Sequence, residues 1–135
     1  MTEKELSGLR EEIRCLNIET KLLQEELNEL EYSIGVKSVV LSHSPKVKNR
    51  RQIGIGVADL AAEIADKKAL IQLNLQKIQI KRTRLERYIE NINDPDTRFI
   101  FRLKYINGLT WREIGAELFM SYTSAFNKHK DYLNK

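Results

Sequence analysis

The sequence predicts an all-α chain. Residues 1–93 form a long antiparallel helical hairpin of coiled-coil type, and residues 94–135 form a small C-terminal domain of short helices. Three observations carry this. Leu6, Leu9, Ile13, Leu16, Thr20, Leu23, Leu27, Leu30 and Ile34 alternate spacings of three and four, an a/d seam with one polar interruption at Thr20. Val57, Ile64, Ile71, Ile78, Leu85 and Ile92 then recur every seventh residue. After Asp94 that period stops and helix-capping residues follow one another closely.

The first helix is acidic. Residues 1–33 hold nine acids and four bases, a net charge of −5. The second helix has no Gly or Pro between residues 57 and 94 and would run about 54 Å at about 1.5 Å per residue. Its clean column needs a companion. The expected one is Ala61, Lys68, Leu75, Arg82 and Ile89, preferred to Leu60, Lys67, Asn74, Lys81 and Tyr88 because the latter is more polar. Burying the charges of Lys68 and Arg82 would be costly, so their heads must reach the rim or a carboxylate.

Neither helix buries its seam alone. Antiparallel pairing brings the start of the first helix to the end of the second, where Lys77, Lys81, Arg82, Arg84 and Arg87 meet its acids. Two hairpins can pair again into a four-helix bundle, with polar seam residues fixing register, so a homo-oligomer is expected over a monomeric hairpin. The connector, residues 35–56, contains Gly35, Pro45, Gly54 and Gly56 and a basic cluster at Lys46, Lys48, Arg50 and Arg51. A solvated loop is the expectation there, ahead of a basic arm touching phosphates. The first helix can extend into it through Val39, Val40 and Leu41.

The tail divides at its caps. Asp94 caps a helix that has Pro95 in its first position, buries Phe99, Ile100, Leu103 and Ile106, and ends at Asn107-Gly108 with Gly108 left-handed. Thr110-Trp111-Arg112-Glu113 is a capping box that opens a helix to about Leu118. Ser121 caps a last helix from Tyr122 to about Leu133. Two short helices separated by about three residues make a helix-turn-helix. Ile114 and Leu118 face its core, Gly115 is small where the helices cross, Met120 plugs the turn and Ala125 begins the next buried face. Phe119 stands where such turns commonly carry Gly, and a positive φ there would be costly.

Such a unit sets the first half of its second helix in the major groove. Tyr122, Thr123, Phe126 and Asn127 are the candidate base contacts, Asn127 suiting adenine and Phe126 a thymine methyl. Thr110, Arg112, Ser121, Lys128 and Lys130 are the candidate phosphate contacts. Residues 34–135 hold nineteen bases and ten acids, a net of +9, and the chain has a pI of about 9.2, a balance that fits a polyanion partner.

Other classes find little footing. No run of 18 apolar residues exists, so no membrane segment is expected. The acidic start lacks an apolar signal core, which makes a cytoplasmic location the expectation. Cys15, His43 and His129 are too few for a disulfide framework or a Cys/His zinc site. Gly54-Ile-Gly-Val-Ala-Asp59 lacks a third glycine and a βαβ setting, and no P-loop lysine occurs. No enzymatic activity, cofactor or metal is expected. His129 is expected at the surface or on the phosphate side of the last helix.

The segment Arg102-Leu-Lys-Tyr-Ile-Asn-Gly-Leu-Thr-Trp-Arg-Glu-Ile-Gly-Ala-Glu-Leu118 resembles the C-terminal domain of ArpU/RinA-like phage transcriptional regulators, whose helix-turn-helix is similar to sigma factor region 4. The likeness covers residues 94–133, and the hairpin before it matches in kind. It implies phage or prophage origin and transcription regulation on double-stranded DNA in a bacterial host. Two alternatives accompany that reading: an adaptor that contacts RNA polymerase or another regulator, and a DNA-packaging recognition subunit.

Overall fold

The computed structural model describes residues 1–43 and 50–135, with side chains described for 1–36 and 56–135. Its elements are α1 (Glu3–His43), α2 (Arg50–Glu90), α3 (Pro95–Phe101) continued by a π-helical turn (Arg102–Ile106), α4 (Trp111–Glu117) and α5 (Tyr122–Leu133). No strand occurs among the described residues. None of their helices is long and apolar enough to cross a membrane. Helices α1 and α2 pack as a hairpin, and the short helices follow.

The hairpin helices are longer than expected. Residues 35–43 and 50–56, read from sequence as connector, are helical, because single glycines such as Gly35 weaken a helix without ending it. Lys46 and Lys48 of the basic cluster lie outside the described residues, as do the side chains of Arg50 and Arg51.

The chain divides into two compact units. One comprises Leu16–Gln76, the middle of the hairpin. There Leu27 and Ile71 are buried, and Leu16, Thr20, Leu23, Leu30, Ile34, Val57 and Ile64 are half-buried. The seam of α1 and the clean column of α2 therefore face inward as predicted. Lys67 Nζ lies 2.7 Å from Glu26 and Lys68 Nζ 3.7 Å from Glu31, ion pairs that join the two helices of the hairpin.

The companion column differs from the expectation. In this unit Leu60 and Lys67 are half-buried and Asn74 is buried, whereas Ala61, Lys68 and Leu75 are exposed. The more polar column faces α1 because lysine buries its methylene stem and delivers its ammonium to a carboxylate on the facing helix. The hydrogen bond to Glu26 raises the Lys67 pKa.

The other unit joins Met1–Cys15 to Lys77–Lys135. Its larger core holds Leu6, Leu9 and Ile13 of α1, Leu85 and Ile89 of α2, and Ile92, Phe101 and Tyr105. Here the two columns share the inner face: Lys81 and Tyr88 are half-buried and Arg82 is exposed, but Ile89 of the expected column is buried, and Lys81 Nζ sits 2.6 Å from Glu12. Arg82 finds Glu86 on its own helix at 3.4 Å. A second core, Ile100, Ile114 and Ala125, is closed by Leu103, Leu109, Trp111, Leu118 and Met120.

Along α3 and its π-turn Ile100 is buried and Leu103 and Ile106 are half-buried as expected, and one residue departs. Phe99 is exposed, while Phe101 and Tyr105 are buried. Phe101 and Tyr105 turn to the larger core and Ile100 to the second, which leaves Phe99, two residues before Phe101, on the outer side of the helix. Beyond it the π-turn sets in, Asn107 N–H bonding to Arg102 C=O five residues back. Phe101 becomes the hub of an aromatic cluster, with ring centroids 4.8 Å from His129, 5.3 Å from Tyr132 and 5.7 Å from Tyr105.

Candidate nucleic-acid interface

Local chemistry sets the three tail helices where the caps predict. Asp94 Oδ2 accepts from Thr97 N–H at 3.1 Å and from the Thr97 hydroxyl at 2.6 Å, and these bonds hold the Asp94 carboxyl below its usual pKa. Gly108 ends the π-turn at φ 71°. Arg10 of α1 donates to Ile106 C=O at 3.4 Å, and its guanidinium lies where a Cβ on Gly108 would stand. Glu113 N–H donates to Thr110 Oγ1 at 3.3 Å, and the Thr110 hydroxyl returns a bond to the Glu113 carboxylate at 3.0 Å. Ser124 N–H donates to Ser121 Oγ at 3.1 Å.

The turn between α4 and α5 is tight. Met120 N–H bonds to Gly115 C=O at 2.9 Å. A Cβ on Gly115 would stand 2.6 Å from Met120 C=O, so the small residue is required by the turn backbone itself. Phe119 takes φ 54°, in the left-handed region, with its side chain 97% exposed. The turn thus keeps the geometry that favours glycine, and Phe119 bears the strain.

Helix α5 buries Ala125 and His129 and half-buries Tyr132 and Leu133. The opposite side is open. Tyr122 is 55% exposed and Phe126 39% exposed, and Thr123, Asn127 and Lys130 are exposed. By helical period Thr123, Asn127 and Lys130 form one line at i, i+4 and i+7, with Tyr122 and Phe126 on the adjoining line. Phe126 meets Trp111 edge to face at 5.4 Å, and the Lys104 ammonium lies 4.9 Å above the Trp111 ring.

The candidate phosphate contacts fall in different settings. Thr110 and Ser121 are exposed, with their hydroxyls engaged in the caps. Arg112 and Lys130 are exposed and form no ion pair among the described residues. Lys128 is half-buried, and its ammonium reaches Asp96 at 3.3 Å.

His129 corrects an expectation. It is buried, not on the surface, and its Nε2 lies 2.6 Å from the Tyr105 hydroxyl. Burial pushes the His129 pKa down, and burial pushes the Tyr105 pKa up, so both groups stay neutral. The signal was present in the spacing, because His129 follows the buried Ala125 by four residues on the same face. The Lys104–Trp111–Phe126 stack had no sequence signal, since its members come from three separate elements.

A family model described as "Protein of unknown function (DUF1492)" matches residues 43–134, more than half of the chain. No curated protein matches the chain, and no solved structure does.

Proposed function

The chain belongs to the DUF1492 family, and we propose that it is a DNA-binding transcriptional regulator of phage or prophage origin. In this reading α4, its turn and α5 hold duplex DNA, and the hairpin self-associates. One observation carries it: the side of α5 bearing Tyr122, Thr123, Phe126 and Asn127 is open to solvent behind a tightly held turn. That is the side such a unit lays in the major groove. Asn127 and Thr123 meet base edges, while Arg112, Lys128, Lys130 and the capped ends at Thr110 and Ser121 meet phosphates. The resemblance of residues 102–118 to ArpU/RinA-like regulators supports the same reading. Self-association places two such tails on one duplex and raises their effective concentration.

Gel-shift titration of two variants tests the assignment. Replacing Lys128 and Lys130 by Ala weakens binding to every duplex alike. Asn127→Ala relaxes sequence preference. Variants that bind every duplex as the parent chain does would remove α5 from the interface.

A second reading is an adaptor that contacts RNA polymerase. The exposed, strained Phe119 favours it, since an aromatic side chain held in solvent suits a protein surface. Capture of polymerase from host extract by the Lys128/Lys130 variant, with duplex binding lost, separates the two activities. Capture without any duplex binding by the parent chain selects the adaptor.

A further inference from the structure

The open side of α5 carries a chemistry suited to one kind of base pair. Guanine is read most often by Arg or Lys on its O6 and N7 atoms. Helix α5 contains no arginine. Of its two lysines, Lys128 is engaged with Asp96, and Lys130 stands in the third turn, beyond the half that enters a groove. The first two turns offer instead the exposed Thr123 and Asn127 beside Tyr122 and Phe126. An Asn amide presents a donor and an acceptor together, matching adenine N7 and N6. The other base of that pair presents a C5 methyl, whose natural partner is an apolar edge.

Phe126 supplies such an edge in a fixed position. Trp111 holds its ring at 5.4 Å and 88°, and Lys104 lies on the Trp111 ring. The ring therefore meets a partner with little further ordering, which favours contact. Thr123, one turn before Asn127 on the same line, adds a methyl. Arg112 and Lys130, exposed and without ion pairs among the described residues, supply the positive charge that a phosphate backbone requires.

We propose that α5 selects A·T base pairs in the major groove, Asn127 bonding adenine while Phe126 and Thr123 contact the C5 methyl of thymine. The proposal rests on the DNA-binding reading above and names the sequence class that the same surface prefers.

The test uses the full chain and fluorescence anisotropy at fixed low salt. Three duplexes of equal length serve as probes: alternating A·T, the same duplex with deoxyuridine for thymine, and alternating G·C. The A·T duplex binds tighter than G·C by at least about fivefold, the lower end for one paired base contact. Deoxyuridine removes only the methyl and weakens binding by about fourfold for each methyl covered. Phe126→Ala reduces the difference between thymine and deoxyuridine. Thr123→Ser, which keeps the hydroxyl at an exposed position, also reduces it and does not depend on the Trp111 contact. Equal affinity for all three duplexes, or preference for G·C, overturns the proposal and leaves DNA binding standing. No binding to any duplex overturns both readings.

Discussion

Phe119 and His129 sit on opposite sides of what local preference allows. Phe119 occupies a turn whose geometry is fixed by Gly115 and Met120, so the residue adapts to the turn at a cost of about 1 kcal/mol. The position was legible in the sequence because the turn between two capped helices has few solutions. His129 is polar by type, yet its four-residue spacing from Ala125 puts it on the buried face of α5. Its burial has a consequence for stability. Its pKa is depressed below the ordinary 6.5, mainly by burial, with Lys104 also lowering it and Glu3 opposing. The unfolded chain then binds the extra proton first, so His129 favours the folded state fully above pH 6.5. That contribution falls as the pH drops through 6.5 toward the folded value. Urea unfolding at pH 7.5 and pH 5.5 should show lower stability at the acid pH, and His129→Gln should flatten the difference. An unchanged pH dependence in the variant would place the acid sensitivity elsewhere.

The long helices show what a heptad pattern specifies and what it leaves open. The apolar columns identify the face that turns inward, and the seam of α1 and the Val57–Ile92 column both do so. The companion column is decided by what its polar members can do once buried. Lys67 and Lys81 reach Glu26 and Glu12, which a hydrophobicity count does not register. Asn74 has no such outlet: it is 4% exposed, and its amide nitrogen has no hydrogen-bond partner among the described residues. An unsatisfied buried donor costs about 1–3 kcal/mol. Asn74→Leu should therefore raise stability by about 1–2 kcal/mol, seen as a higher denaturant midpoint with an unchanged slope. A lower midpoint would mean that the amide has a role in the seam, such as fixing register. The π-turn at Arg102–Ile106 was beyond reach, because π-geometry has no propensity signature and is imposed by packing around Phe101 and Tyr105.

At the scale of the whole molecule, the sequence divides the chain at residue 94, whereas the compact units cut across both long helices. Periodicity assigns residues to elements. It does not say which elements share a core, and Phe101 and Tyr105 share theirs with Leu6, Leu9, Leu85 and Ile89. The exposed candidate base contacts were legible because capping fixed where α5 begins, and hence which residues lie on its open side. The proposed self-association has its own readout: light scattering of the purified chain should give a mass at a multiple of 15.8 kDa, and a mass equal to that of one chain would leave the hairpin as a monomeric spacer.

The most direct measurement is the affinity of the full chain for duplex DNA across a salt series, followed by anisotropy of a labelled duplex. Log affinity should fall linearly with log salt, with a slope of about −0.9 for each phosphate neutralised. The Lys128/Lys130 variant should show a shallower slope. Absence of any complex at the lowest salt would contradict the account.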